Sequence, residues 1–444
     1  MRSRSLTYLI AMIAFALSTT PVRLGAQAPN GQAHYAVIRL GSLGGMSSAA
    51  QGLNNRDWVA GDADLTGDAT EHAILWRNRK ITDLGTLGGL NSFAGPVNEE
   101  GLVAGSAQTA IVDPLGENWG LLFSCSSGGA CEGYKDLVRA FRWQNGMMTP
   151  LATLGGNNAS VGFYSGANSR GQIVGFAETS TQDPKCAPPQ VFDWEAVVWG
   201  LEGEIHELPP FTGDAVGVAF SINDRGQVVG GSGPICATPS SFALSAHAML
   251  WQNGSATELG SFGGVMNNFA WAINNLGQVV GFSDLSGDTT THAFLWTEEN
   301  GIQDLGTLAG DFESQAYGVN DKRQIVGQSC DQNGNCRGFL WQNGVMTDLN
   351  TLTAPDSLYV VQASGINAAG EIAGIAFDES TGETPAFLAI PCDAYREDCE
   401  GTAAGSHSSI RDSGEHRVIL PENVRKSLQQ RHGFGHFGRL MKPQ

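Results

Sequence analysis

The sequence predicts an all-β chain folded as a seven-bladed β-propeller, on three observations. A segment of the form Leu-Gly-x-Leu-Gly-Gly recurs at Leu40, Leu84, Leu151, Leu208, Leu259, Leu305 and Leu349, with shortest spacings of 44 to 46 residues, a period that belongs to blade-like or solenoid repeats. Each repeat contains four short strand-like pieces, here called a to d. The chain also opens on a lone d piece, Tyr35 to Leu40, and its last repeat stops at piece c, Pro385 to Ile390. The first strand can therefore complete the seventh blade and close the ring, which leaves no open sheet edge. A β-solenoid is the rival architecture, but it gives no reason for matched deficits at the two ends.

In chain order, the first element is an expected signal peptide over residues 1–28. Arg2 and Arg4 precede an apolar run from Leu6 to Leu17, and small residues follow at Leu24-Gly-Ala-Gln-Ala28. The run is too short to span a membrane. The propeller is expected over 31–400. In the fifth repeat the pieces are a, Ala270 to Ile273; b, Gln278 to Gly281; c, His292 to Trp296; and d, Ile302 to Leu305. Asn274-Asn-Leu-Gly277 joins a to b as a tight turn, Asn bonding local backbone and Gly supplying a positive φ. The Asn recurs in all seven repeats (Asn54, Asn98, Asn168, Asn223, Asn274, Asn320, Asn367), and seven residues later a Gly does too (Gly61, Gly105, Gly175, Gly230, Gly281, Gly327, Gly374). Asp57 and Arg323 replace the turn glycine in repeats one and six, so those turns should be strained or different. Strand c ends in Trp in six repeats (Trp76, Trp143, Trp199, Trp251, Trp296, Trp341), expected to pack between blades. Residues 401–444 lose the pattern and read as a flexible basic tail, with one short helix over Pro421 to Arg431.

Low charge (16%) and 59 glycines suit short strands and tight turns. Eight cysteines in an exported chain predict disulfides rather than zinc. Three local pairs are expected, Cys125 with Cys131, Cys330 with Cys336 and Cys392 with Cys399, which leaves Cys186 to pair with Cys236. A short closed loop contributes roughly 2 kcal/mol by chain entropy, so the local bridges pin loops rather than hold the fold.

His292-Ala-Phe294, with His72-Ala-Ile and His247-Ala-Met, and the Leu-Gly-Thr-Leu-Gly-Gly segment at Leu84 with its near-copy at Leu305 resemble the HAF family of extracellular repeat proteins. The resemblance covers about residues 35 to 390. It implies export and a repeat fold, and it carries no established activity or catalytic residues.

Of 44 acidic residues, 41 lie between 31 and 400, against 15 of the 25 basic ones, so the body carries −26. Such a surface repels nucleic acid and anionic membranes, and a monomer binding a protein or glycan is expected. No Gly-x-Ser-x-Gly, P-loop, His-Glu-x-x-His or Rossmann motif occurs, so no catalytic residue and no cofactor is assigned. The repeated histidines fall on different blades and read as blade-edge hydrogen-bonding groups. Calcium is the one cofactor candidate. Two oxygen-rich b-to-c hairpins supply Asp62, Asp64, Asp68, Asp284 and Asp288 as candidate ligands, although both lack a closing bidentate Glu; a plain polar hairpin is the competing reading. The glycine-rich segments enter strands rather than helices and read as interblade turns, not phosphate cradles.

The long insertions all fall in b-to-c connections: 106–138, 176–194, 231–246 and the Cys330 to Cys336 loop. Strand alternation puts them on one face, and the tight turns of the other face should offer little to specify a partner. The expected function is a secreted, non-catalytic binding or adhesion module for protein or polysaccharide, working through the insertion-bearing face. The alternative is a secreted hydrolase or lyase using scattered propeller carboxylates.

Overall fold

The computed structural model describes residues 34–78, 80–123, 133–162, 165–184, 186–237, 246–354, 358–392 and 417–431. Seven four-stranded antiparallel sheets form a propeller, each running a-b-c-d outward. In blade 1 the strands are Gly44–Leu53, Val59–Leu65, Glu71–Arg77 and Lys80–Gly85; in blade 5, Gly263–Ile273, Val279–Leu285, Thr291–Thr297 and Gly301–Asp304. The last blade comprises Tyr359–Ile366, Ile372–Phe377 and Ala386–Pro391, and its fourth strand is Tyr35–Arg39 from the other end of the chain. Tyr35 pairs with Pro391 and Arg39 with Phe387. The two incomplete ends of the repeat pattern thus meet, as the sequence requires.

Both glycine signatures answer to steric demands. At the Gly that follows each Asn by seven residues, an added Cβ would lie only 1.9 to 2.2 Å from a strand-a carbonyl oxygen in all seven blades, for example Ala49 O at Gly61 and Phe93 O at Gly105. No other residue fits there. In the Gly-Gly steps of blades 1, 2, 3 and 5, the first glycine takes a φ of 96° to 107° (Gly44, Gly88, Gly155, Gly263), while a Cβ added at the second would lie within 2.6 Å of strand b. The pair turns the chain into strand a.

The core is distributed over the seven interblade seams. Between blades 1 and 2, for instance, Ala60, Ala73, Leu75 and Leu84 meet Ala94, Val97, Val103 and Phe141. The bulged strand-a residues Phe220, Trp271 and Tyr317 meet in series, Phe220 stacked on Trp271 with centroids 4.5 Å apart and Tyr317 edge-on to Trp271 at 5.6 Å. Several strand-c tryptophans are structural, since Trp76, Trp199 and Trp251 donate Nε1–H to the carbonyls of Gly41, Ala152 and Pro209 in the preceding interblade link.

One expectation needs correction. The stretch 417–431 is not a loose tail. Helix α1 (Glu422–Arg431) forms as expected, but Val418, Leu420, Val424 and Leu428 are buried against Tyr359, Val361, Ile375, Phe377 and Ala49 on the insertion-bearing face. Arg417 ion-pairs with Asp311 at 2.7 Å and Asp331 at 3.3 Å, and Leu420 N donates to Asn335. An apolar stripe plus a cation meeting an acidic body explains the docking. The rest of 401–444, and the signal peptide expected over 1–28, lie outside the described residues.

Candidate functional site

The two faces of the disk are built from different materials. On the a-to-b face, each repeated Asn uses its Oδ1 to accept from the amides two and four residues on, as Asn223 does from Arg225 and Gln227. Its Nδ2 donates to the backbone carbonyl of the matching Asn in the next blade: Asn54 to Asn98, then Asn168, Asn223, Asn274, Asn320, Asn367 and back to Asn54, each at 2.9 to 3.1 Å. The seven side chains close a ring around the axis. Asp57 and Arg323 keep the same turn at φ 59° and 60°, so these two turns are strained rather than different.

A pocket of about 240 Å³ opens inside this ring, on the face where tight turns had promised little. Its floor is aliphatic (Ile222, Ile273, Val319, Ile366) and its rim carries Glu99, Asp224 and Asp321. Much of the lining is already engaged. Glu99 accepts from Asn55, Asp321 from Asn275, and Asp224 from Ser169 and Asn275. Burial works to raise the Asp224 pKa, but the Ser169 and Asn275 hydrogen bonds and the Arg170 charge outweigh it and hold the carboxyl below its usual range.

The b-to-c face carries the insertions, and three of them interlock. In blade 2, strand b continues to Val112, Asp113 caps a turn by accepting from Leu115 and Gly116, and a short 3-10 turn spans Trp119–Leu122. Trp119 is fully buried against Phe176 of blade 3 and donates to Gln190 Oε1 at 3.1 Å. The blade 3 and blade 4 insertions are joined by the expected Cys186–Cys236 disulfide, Cα to Cα 4.4 Å. Ala187 N also donates to Cys236 O at 2.7 Å, and Trp194 Nε1 to Ala237 O at 3.0 Å. Around this layer Ile111, Val112, Leu115, Leu121 and Ile235 are exposed, as are Met46, Leu90 and Val265 directly after three of the Gly-Gly steps.

Beneath the blade 2 insertion lies a buried carboxyl cluster. Glu117 and Glu178 are both fully buried, and Gln190 Nε2 donates to each, at 3.2 and 3.1 Å. Burial and then the Glu117 charge push Glu178 up to about 8; burial also raises Glu117, against hydrogen bonds from Phe192, Val191 and Glu178. The pair is sealed from solvent, so it offers no substrate-accessible acid and base.

Cys330–Cys336 forms as expected. Cys392 is disulfide-bonded, and its expected partner Cys399 lies outside the described residues. The disulfide expected between Cys125 and Cys131 also lies outside them, since both cysteines fall in the undescribed stretch 124–132 of the blade 2 insertion. Among the described residues, no three of the calcium candidates bring their ligand atoms together. Asp68 and Asp288 turn back to accept from Met46 N and Val265 N, each at 2.7 Å. Asp62 accepts from Gln51, and buried Asp284 from Thr291 and Asn267. Asp64 is fully buried. Among the described residues, the one group of three metal-ligand types within reach of one another is Cys186, Asp193 and Cys236, whose sulfurs are bonded together. The repeated histidines hold carboxylates at 2.8 to 3.0 Å: His72 and His292 bind Asp83 and Asp304 on the outer strands, and His247 binds the nearly buried Asp214 in the link into strand a.

Sequence reasoning missed the Asn ring, Trp119 and the Glu117/Glu178 pair. The ring had a signal: a turn-forming role alone tolerates Asp, whereas donation to the next blade needs the amide N–H of Asn. Trp119 and the two glutamates lie in or under an insertion without a repeat to compare.

No protein-family model matches this chain, and no curated protein matches it in sequence. Similar solved structures include Kuenenia stuttgartiensis hydrazine synthase (TM-score 0.39, 9% identity, 68% of this chain) and the Aleuria aurantia lectin in complex with a fucose-containing ligand (TM-score 0.34, 9% identity, 80% of this chain and 100% of that one). Porphyromonas gingivalis dipeptidyl peptidase 4 is a third (TM-score 0.33, 10% identity, 74% of this chain and 50% of that one). The chain spans 45% of the hydrazine synthase chain. At these scores no property of those proteins is carried over.

Proposed function

We propose that this chain is a secreted, non-catalytic binding module whose insertion-bearing face docks a protein or polysaccharide partner, in keeping with its resemblance to HAF repeat proteins. The observation that carries this reading is the interlocked layer of blades 2, 3 and 4: a disulfide, a shared aromatic core and cross-blade hydrogen bonds hold loops that display exposed apolar side chains. Loops already ordered lose little entropy on docking, and irregular segments on a rigid frame are where recognition resides. The ring face offers a pocket, but its amides and rim carboxylates largely satisfy one another. Among the described residues the Cys186–Cys236 and Cys330–Cys336 disulfides and the bonded Cys392 suit an oxidising compartment, and no helix is long and apolar enough to cross a membrane.

The test is a binding screen of the purified mature protein against glycan and cell-surface protein arrays, with and without calcium, monitoring hydrolysis products alongside. The reading expects saturable binding without product. Product release that depends on exposed carboxylates would favour the hydrolase alternative and overturn it; binding that disappears on calcium removal would revive the hairpin aspartates as ligands.

A further inference from the structure

We infer that Glu117 and Glu178 form a proton-sharing latch, which clamps the blade 2 insertion onto blade 3 most firmly in acid and loosens progressively as the pH rises through neutral. Glu117 belongs to the insertion and Glu178 to strand b of blade 3 (Ile173–Gln182). Glu117 Oε1 accepts from Val191 N and Phe192 N, both at 2.9 Å, and Glu178 Oε2 accepts from Asn157 N and Asn158 N at 2.9 and 2.8 Å. Gln190 Nε2 bridges the two. An ionised carboxylate only accepts, so two carboxyls bridged by one amide gain a donor between them only when one carries a proton. Both groups are fully buried, and two adjacent buried negative charges repel without solvent to screen them.

The surrounding groups do not cancel this. From the insertion, Asp113 adds a further carboxyl, held by Asn158 Nδ2 at 2.7 Å. From strand c of blade 2, Arg139 supplies one facing cation, itself penalised by burial, and its attraction to Glu178 only partly offsets that penalty. Gln190, Asn158 and Trp119 are neutral. One cation facing three carboxyls leaves the closed state needing its proton.

The sign follows from linkage. The latch binds a proton when closed that Glu178 surrenders when the insertion lifts and the group returns to its ordinary value of 4.5. Opening therefore becomes easier by up to about tenfold per pH unit from about 4.5, and levels off above about 8, where the closed pair ionises in place. The Cys186–Cys236 bridge is unaffected, so the loosening is confined to the blade 2 side. Any effect on partner docking rests on the function proposed above; the latch itself does not.

Amide hydrogen exchange of the full chain from pH 5 to pH 9, corrected for the intrinsic exchange rate, tests this. The expected result is that Val191, Phe192, Asn157, Asn158 and residues 113–123 lose at least tenfold in protection between pH 5 and pH 8, while amides in the Asn ring, such as Trp58, stay level. Glu178→Gln should flatten that profile, because an amide donates without titrating; Glu117→Gln should do the same and serves if the first variant does not fold. A flat profile in the parent, or a parental slope retained in either folded variant, overturns the latch.

Discussion

On one face of the disk, seven asparagines make the same pattern of hydrogen bonds seven times over; on the other, Trp119, Gln190 and the Cys186–Cys236 pair each make a contact found in one place. The ring side is a joint. Each Asn turns its own hairpin and holds the next blade, so its geometry is set by the repeat, and much of its hydrogen-bonding capacity is used within the ring. The insertion side is a superstructure. It borrows blades 2 to 4 as a floor, builds a small aromatic core of its own and leaves apolar side chains exposed above it. A repeat can evolve as one unit, whereas a single interlocked layer holds chemistry that the remaining blades need not share.

The contrast can be broken from either side. The largest effect is expected from Trp119→Ala, which empties a fully buried site between blades 2 and 3 and should cost about 3 to 5 kcal/mol. Because the core it fills belongs to the insertion layer, proteolysis and exchange should report disorder over 113–123 while the main unfolding transition remains cooperative; a uniform loss across all blades would mean that the layer is not separable. Asn223→Asp should come next. It removes the donors to Asn274 O and Gln227 and sets a carboxylate against a carbonyl, for about 2 kcal/mol. Its mark is a lower melting temperature with unchanged insertion-loop exchange. The smallest effect sharpens the comparison: Arg323 holds a φ of 60° in a turn where five other copies have Gly, so Arg323→Gly should stabilise by about 0.5 to 1 kcal/mol, read as a raised thermal midpoint. A lowered midpoint would show that the Arg323 side chain contributes more than its backbone strain costs.

The blade count, strand order and closure by Tyr35–Arg39 were legible because periodicity repeats the same evidence seven times. The turn role of the Asn was legible too, and the ring was within reach, since no copy substitutes Asp. The docked segment was half legible: Pro421 and the basic residues mark a helix, but the apolar run Val418 to Leu420 within a polar tail was the signal that it would be buried, and composition over 401–444 averaged it away. Glu117 and Glu178 had no such mark. They are two carboxyls among 41 in the body, and only the folding of an insertion onto the neighbouring blade makes them meet. The same holds for the pocket inside the Asn ring, which exists because seven turns converge, although each turn taken singly looks featureless.

The most direct measurement of the central claim compares two variants in binding to whatever partner the array screen identifies. One replaces 234–246 by a short turn, leaving strand b intact to Gly233, together with Cys186→Ser; the other alters the opposite rim, Glu99→Gln with Asp321→Asn. Calorimetric titration at one salt concentration, with melting temperatures recorded for both, should show affinity falling at least tenfold in the first variant and within about twofold of the parent in the second. The reverse pattern, with the loop-replaced protein folded and binding undiminished while the rim variant loses its partner, would contradict the assignment and move the working site to the Asn ring.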